Sequence, residues 1–142
     1  MKNFINLTHN EKIMVLKWRN DKRIRDNMFS SDIISLDNHL NFINKLENDK
    51  KNTYFLIDDL GVIYFNNIQN NKAEIGLYSN PKKYGIGKLL MDKIVSSNFD
   101  YLYLEVLESN KKAIELYLKY NFKIKNNKIV KGKKIISMEL QR

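Results

Sequence analysis

Ala73-Glu74-Ile75-Gly76-Leu77-Tyr78-Ser79-Asn80-Pro81-Lys82-Lys83-Tyr84-Gly85-Ile86-Gly87-Lys88 is the stretch that decides the fold. Ala73 to Tyr78 reads as a strand, and Ser79-Asn80-Pro81 stops it. A glycine-rich turn then opens a helix through Leu89, Leu90, Met91, Ile94 and Val95. A helix N-terminus offers unpaired N–H groups and a partial positive charge. Glycines at 85 and 87 let the backbone approach a ligand with no Cβ in the way. Successive amides around such a turn form an anion nest, and Lys82, Lys83 and Lys88 add positive charge at its rim. A pyrophosphate fits such a site; a tight turn with its lysines in solvent fits the segment as well.

The elements on either side build a layered α/β domain. Phe4 to Leu7 reads as a short strand. Thr8-His9-Asn10-Glu11 has the form of a capping box before a helix with Ile13, Met14, Leu16 and Trp18 on its stripe. A break runs from Asn27 to Asp32, and Ser35 is the N-cap of a second helix that ends near Glu47-Asn48-Asp49. Tyr54–Ile57 and Val62–Ile68 pair as a hairpin across Asp58-Asp59-Leu60-Gly61, and Asn70-Asn71 turns the chain into the Ala73–Tyr78 strand. Tyr101 to Leu107 alternates faces. Ser109 is the expected cap of a last helix carrying Ala113, Leu116, Tyr117 and Tyr120, with Asn121 at its left-handed end. Phe122–Lys125 and Ile135–Leu140 form a final hairpin across Asn126-Asn127 or Gly132. A helix joins the fourth strand to the fifth, so those two lie parallel. The expectation is a mixed sheet with helices on both faces.

Composition narrows the function classes. The 142 residues make one domain, with 43% hydrophobic residues to fill a core and no repeat or linker to divide it. Disorder is excluded, and no apolar run reaches the ~18 residues of a membrane span or resembles a signal peptide. With no cysteine and two histidines, His9 and His39, thiol chemistry is absent and no metal is expected. The cytoplasm is the expected compartment. A net charge of +9 suits an anionic partner. It also reflects an excess of 21 Lys, 20 Asn and 17 Ile of the kind an AT-rich genome produces, so the local placement of lysines carries more weight. The lysines do not interleave with aromatics in one stripe and no nucleic-acid motif occurs, so neither nucleic acid nor membrane is the expected partner.

The glycine turn is not a P-loop, since no Gly-Lys-Ser/Thr follows at the right spacing, and it lacks the third glycine of a dinucleotide fingerprint. It is similar to the acetyl-CoA turn Arg/Gln-x-x-Gly-x-Gly/Ala, standing here as Lys82-Lys83-Tyr84-Gly85-Ile86-Gly87 with lysine as a departure in first place. Asn110-x-x-Ala113-x-x-x-Tyr117-x-x-x-Asn121-Phe122 follows 25 residues after Gly85 and resembles the second conserved segment of the GCN5-related N-acetyltransferases, the GNAT superfamily. In the N-terminal half, Trp18-Arg19-Asn20, Met28-Phe29, His39-x-x-Phe42-Ile43, Tyr54-Phe55-Leu56, Gly61-Val62 and Asn66 look like the pseudaminic-acid-pathway branch of that family, whose members acetylate the 4-amine of a UDP-4-amino-4,6-dideoxy-N-acetyl-altrosamine. The Trp-Arg-Asn opening is shared with ribosomal-protein N-acetyltransferases, so a legionaminic-acid precursor, another UDP-4-amino sugar or a protein N-terminus stays open as the acceptor.

The resemblance implies a GNAT fold: a central, mixed but mostly antiparallel seven-stranded sheet, flanked by about four helices, with its fourth and fifth strands parallel and splayed. Acetyl-CoA is the implied co-substrate. The pantetheine arm would lie in the splayed gap as a pseudo-strand, against the backbone of Ile75 and Leu77, with Asn110 hydrogen-bonding the arm. The diphosphate would rest on Lys82, Lys83, Tyr84, Gly85, Ile86, Gly87 and Lys88. Tyr117 is the implied general acid toward the departing thiolate, Glu74 a candidate base acting through water, and the Leu77 N–H an oxyanion donor. Arg19, Met28, His39, Asn66, Asn67 and Tyr78 are implied on the side of the UDP-amino-sugar, Arg19 by forking onto phosphate and His39 by donating to phosphate or a base edge. The sequence allows a homodimer and does not fix the oligomeric state.

Overall fold

The computed structural model describes all 142 residues. The elements are β1 (Lys2–Asn3), a 3-10 turn (Phe4–Asn6), α1 (His9–Asn20), α2 (Lys22–Arg25), α3 (Leu36–Leu46), β2 (Thr53–Ile57), β3 (Gly61–Gln69), β4 (Lys72–Ser79), α4 (Gly87–Val95), β5 (Tyr101–Leu107), α5 (Lys111–Lys119), β6 (Lys123–Val130) and β7 (Lys133–Gln141). The strands form one seven-stranded sheet in the order β1-β2-β3-β4-β5-β7-β6. Every neighbouring pair is antiparallel except β4 and β5, which run parallel. This is the expected mixed sheet, and five helices, one of them the four-residue α2, answer to the expected count of about four. No helix is long and apolar enough to cross a membrane.

Two apolar layers hold the helices to the sheet. On one face Leu90, Met91 and Ile94 of α4 and Tyr117 of α5 pack on Ile63, Phe65, Ala73, Ile75, Leu102, Leu104 and Val106. On the other, Val15 and Trp18 of α1 and Ile43 and Leu46 of α3 pack on Leu56, Val62 and Tyr78. Strand alternation fixes this split: Ala73 and Ile75 face α4, while Glu74, Gly76 and Tyr78 face the α1/α3 side. Trp18 is core on that second side.

Local chemistry sets most element ends as read. Thr8 and Glu11 form the reciprocal capping box of α1, and Ser35 Oγ accepts from the Asn38 amide to start α3. Asn121 takes φ 69° beyond α5. Several boundaries differ. Phe4 to Leu7 is not a strand: the Asn3 side chain accepts from the Ile5 amide, which winds Phe4–Asn6 into a 3-10 turn, and the strand is Lys2–Asn3. The buried stripe of α1 is Val15, Leu16 and Trp18, with Ile13 and Met14 half-exposed. Asn110, not Ser109, caps α5, its Oδ1 accepting from the Ala113 amide. The last hairpin turns at Lys131-Gly132, with Gly132 at φ 77°, and the chain near Asn126 is instead a bulge within β6. Helix α2 is short and cationic, and periodicity over four residues carries no signal.

Candidate active site

Asn80 takes both turn amides that follow it, its Oδ1 accepting from Lys82 N–H and its carbonyl from Lys83 N–H. The next amide with a protein partner is Leu90 N–H, which donates to the Ile86 carbonyl. The amides of Tyr84, Gly85, Ile86, Gly87, Lys88 and Leu89 therefore converge on a helix start with their hydrogen bonds free, and Ile86 supplies no side-chain cap. The two glycines of this turn serve different ends. Gly85 has φ 71° with nothing within 4 Å of an added Cβ, so its conformation is what demands glycine. A Cβ on Gly87 would sit 2.9 Å from Leu116 Cδ2, so this glycine serves the approach of α4 to α5 rather than the approach of a ligand. Lys83 pairs loosely with Asp59 at 3.7 Å, and Tyr84 is 90% exposed on the rim.

Directly beside this turn the sheet opens. β4 and β5 pair only at Lys72–Tyr101, Ala73–Leu102 and Glu74–Tyr103, although β4 runs on to Ser79 and β5 to Leu107. Past Glu74 the facing edges of two adjacent strands part, which leaves backbone groups without a ladder. The wedge between them is a cavity of about 220 Å³ bordered by Ile75, Gly76 and Leu77 on one side, Glu105 and Val106 on the other, and Asn110, Ala113 and Tyr117 from α5. A ligand with alternating amide donors and acceptors would satisfy that open edge, as an added strand does.

Tyr117 places its ring in the core, beside Phe122, and borders the wedge, where its hydroxyl has no protein hydrogen-bond partner. Burial pushes its phenol up to about 12, so the proton is held well past neutral pH. Asn110 also borders the wedge, but its Oδ1 is committed to capping α5. Glu74 stands at the apex, the last paired residue of β4, and accepts a 2.9 Å hydrogen bond from Asn67 Nδ2. It borders a separate groove with Tyr103 and Lys125 and is not part of the wedge's border.

On the α1/α3 side a second cavity, about 360 Å³, is bordered by Arg19, Met28, His39, Phe42, Tyr54, Tyr64 and Tyr78. Arg19 Nη1 is buried there without a hydrogen-bond partner, and no carboxylate borders that cavity. Asn66 Oδ1 is buried and unpartnered and its Nδ2 donates to the Tyr54 hydroxyl, but Asn66 borders neither this cavity nor the wedge. His39 is 5% exposed and its Nε2 lies 2.8 Å from the Lys12 carbonyl, so Nε2 carries the proton. Burial depresses its pKa, which keeps the ring neutral. What His39 has left is an acceptor, and the expected donation from it to a phosphate does not fit this geometry. Asn67 turns away on a bulge with φ 54°, tied to Glu74 and to Asn52. The Trp18-Arg19-Asn20 opening acquires a division of labour: Trp18 is core, Arg19 faces the cavity, and Asn20 exchanges two 2.8 Å hydrogen bonds with Ile34 that pin the loop carrying Met28.

Met28, Tyr64 and Tyr78 border both cavities, so the two meet there. Tyr64 and Glu105 were not among the candidates read from sequence. Tyr64 lay within an apolar strand run, where its hydroxyl was the one available signal. Glu105, which pairs with Lys128 at 2.6 Å, looked like any outward residue of an alternating strand. No cluster of three or more His, Asp or Glu side chains is gathered anywhere in the fold.

Residues 22–122 match the model of the acetyltransferase (GNAT) family. The chain is 36% identical over 133 residues to acetyltransferase PseH of Campylobacter jejuni subsp. jejuni (strain 81-176), covering 87% of this chain and 84% of that protein. The crystal structure of Campylobacter jejuni N-acetyltransferase PseH in complex with acetyl coenzyme A is similar at TM-score 0.80 and 32% identity, covering 99% of this chain and 96% of that one. Spermidine N-acetyltransferase from Vibrio cholerae, solved with CoA and spermine, shares the fold at TM-score 0.85 and 19% identity, covering 95% of this chain and 92% of that one.

Proposed function

Because the chain belongs to the acetyltransferase (GNAT) family, and is accordingly an N-acetyltransferase that draws its acetyl group from acetyl-CoA, we propose that its acceptor is the 4-amino group of a UDP-4-amino-4,6-dideoxy-N-acetyl-hexosamine of the altrosamine type. The product is a precursor of pseudaminic acid, made in the cytoplasm by direct transfer within a ternary complex. The observation that carries this reading is Arg19. A half-buried guanidinium whose Nη1 is sealed from solvent without a partner, in a cavity that no carboxylate borders and that joins the β4/β5 wedge, calls for an anion from outside the protein. A nucleotide diphosphate supplies one; a polyamine or a cationic peptide N-terminus does not.

The free amides from Tyr84 to Leu89 would hold the diphosphate of acetyl-CoA, with Lys82 and Lys88 close in sequence to add charge. The open edge of β4, at Ile75 and Leu77, would hold the pantetheine arm, and the Leu77 N–H would meet the acyl oxygen. When bound, acetyl-CoA supplies a thioester whose acyl carbon the amine attacks. Tyr117 gives its phenolic proton to the departing sulfur. The amine loses one proton in exchange, by way of solvent toward Glu74. Placing both reactants in adjoining cavities supplies most of the acceleration that an already reactive thioester needs. Arg19 takes phosphate, and Met28 and Tyr78 wall the acceptor.

Mass spectrometry of acetyl-CoA incubated with a panel of UDP-4-amino sugars tests this. Acetylation of the altrosamine-type epimer is expected. Acetylation of a different epimer alone, or of none, overturns the acceptor assignment.

A further inference from the structure

Acetyl transfer has to occur where the acceptor cavity meets the wedge, and Tyr64 lies at that junction. Tyr64 and Gly76 are cross-strand partners on β3 and β4. The phenol lies across Gly76 so closely that an added Cβ there would sit 1.9 Å from Tyr64 Cζ and 2.0 Å from its hydroxyl oxygen. The hydroxyl is thus held over the β4 backbone at a position where β5 has already turned away. The ring is clamped by stacking on Tyr54 at 4.7 Å between centroids, and Tyr54 is braced edge-on by Phe42 at 4.9 Å. No protein group hydrogen-bonds to the Tyr64 hydroxyl, in contrast to those of Tyr54, Tyr101 and Tyr120.

We propose that the Tyr64 hydroxyl is a second oxyanion donor, giving a hydrogen bond to the acyl oxygen of the thioester from the acceptor side of the sheet while the β4 backbone serves it from within the wedge. Burial raises the phenol's pKa, and Tyr54, Tyr117, Tyr78 and Glu74 all lie near enough to raise it further, so the group stays a neutral donor. As the amine nitrogen bonds to the acyl carbon, the carbonyl π electrons move onto oxygen, where two fixed donors receive them. When they return, the C–S bond breaks, and the net result is one proton moved from nitrogen to sulfur. A donor clamped in place costs no reorganisation at that moment. This inference rests on the acetyltransferase assignment and not on the identity of the amine.

The test is the carbonyl stretch of acetyl-CoA, labelled with ¹³C at the acyl carbonyl and bound to the protein with no acceptor present. Tyr64→Phe should move the band to higher frequency, and 3-fluorotyrosine at position 64, a stronger donor of nearly the same shape, should move it lower. Melting temperature should stay at the wild-type value, and acetyl-CoA affinity should fall by no more than the roughly 2- to 10-fold of one neutral hydrogen bond. With the altrosamine-type sugar, Tyr64→Phe should lower kcat by roughly a hundredfold with little change in either KM. Identical carbonyl bands in all three proteins, or a raised acceptor KM at unchanged kcat, would overturn the proposal. Failure of the sugar to react would leave the carbonyl result standing and count only against the acceptor.

Discussion

Replacing Gly85 with alanine isolates the contribution of one backbone conformation to acetyl-CoA binding. Gly85 holds φ 71°, and an added Cβ would meet nothing within 4 Å. The substitution therefore creates no clash, and its whole cost is that of an L-residue in the left-handed region, roughly 1–2 kcal/mol. The turn is exposed and its amides from Tyr84 to Leu89 are unbonded, so nothing holds it in place before the diphosphate arrives. The free variant relaxes toward negative φ, and binding must restore the strained form. Since 1.4 kcal/mol is tenfold in affinity, Kd for CoA should rise about 5- to 30-fold. Calorimetric titration reads this directly. Pantetheine, which lacks the diphosphate, should bind both proteins alike. Gly132→Ala is the control: its φ is 77° and its surroundings are equally open, but it lies in the β6–β7 turn. That variant should lose stability and keep its affinity. If Gly85→Ala binds CoA as tightly as the wild type, the diphosphate does not rest on these amides.

Tyr117→Phe should lower kcat by about 10²-fold or more while CoA affinity holds, as expected on losing a general acid; steady-state kinetics with calorimetry reads both, and unchanged turnover removes Tyr117 from the mechanism. Arg19→Gln should raise KM for the nucleotide sugar roughly 10- to 100-fold, the scale of a charge-assisted hydrogen bond, without touching acetyl-CoA affinity. It should also leave the melting temperature unchanged or slightly raised, because it removes a half-buried cation whose enclosed Nη1 has no partner; a lower melting temperature would show that Arg19 is satisfied within the fold. His39 is held neutral below its ordinary pKa of 6.5. The unfolded chain then binds the extra proton first, so stability is complete above pH 6.5 and declines as pH falls below it, until the folded ring titrates too. Melting curves from pH 7.5 to 5.5 should show this decline in the wild type and a flatter one in His39→Gln; equal slopes would refute it.

The fold was legible wherever chemistry is local. A capping box needs only Thr8 and Glu11, and a hairpin only a turn between alternating runs, so those elements stand where the residues put them. The β-α-β link between β4 and β5 dictated a parallel pair, and the glycine turn between them marked the helix start. The misplaced ends were contests between similar residues. Ser109 and Asn110 are both good caps, and only the path of the chain out of β5 decides which side chain reaches the Ala113 amide. The acceptor cavity was partly legible, because Arg19 and His39 are rare residue types in this chain, but their states were not. That Arg19 has no partner and that Nε2 of His39 is already engaged with Lys12 follow from how α1 and α3 cross, which no local pattern encodes. Tyr64 is the clearest omission. Its significance comes from the glycine opposite it on another strand and from two cavities that neither strand forms alone.

A gap in a sheet also requires something to keep it open, because two parallel strands that can pair gain a hydrogen bond with each further rung. Here both strands are held from their outer sides. β4 is paired to β3 along the whole splayed portion, from Glu74 opposite Asn66 to Ser79 opposite Gly61. β5 is paired to β7 at all seven of its residues. For β5 to close on β4 it would have to carry β7 with it, and Ile136 and Met138 of β7 are buried in the same core as Leu104, Val106 and Tyr117. Arg142 reinforces the arrangement, since its guanidinium donates to the carbonyls of Val95 at the end of α4 and of Ser97 and Phe99 just beyond it. Tyr120 closes the opposite corner by donating to Asp92 and the Lys88 carbonyl, which ties α5 to α4. Residues 126–142 border neither the wedge nor the acceptor cavity. Their contribution is to hold β5 at the angle that leaves β4 an open edge and to steady two residues of the wedge's border, Lys128 pairing with Glu105 and Lys133 donating to the Phe29 carbonyl.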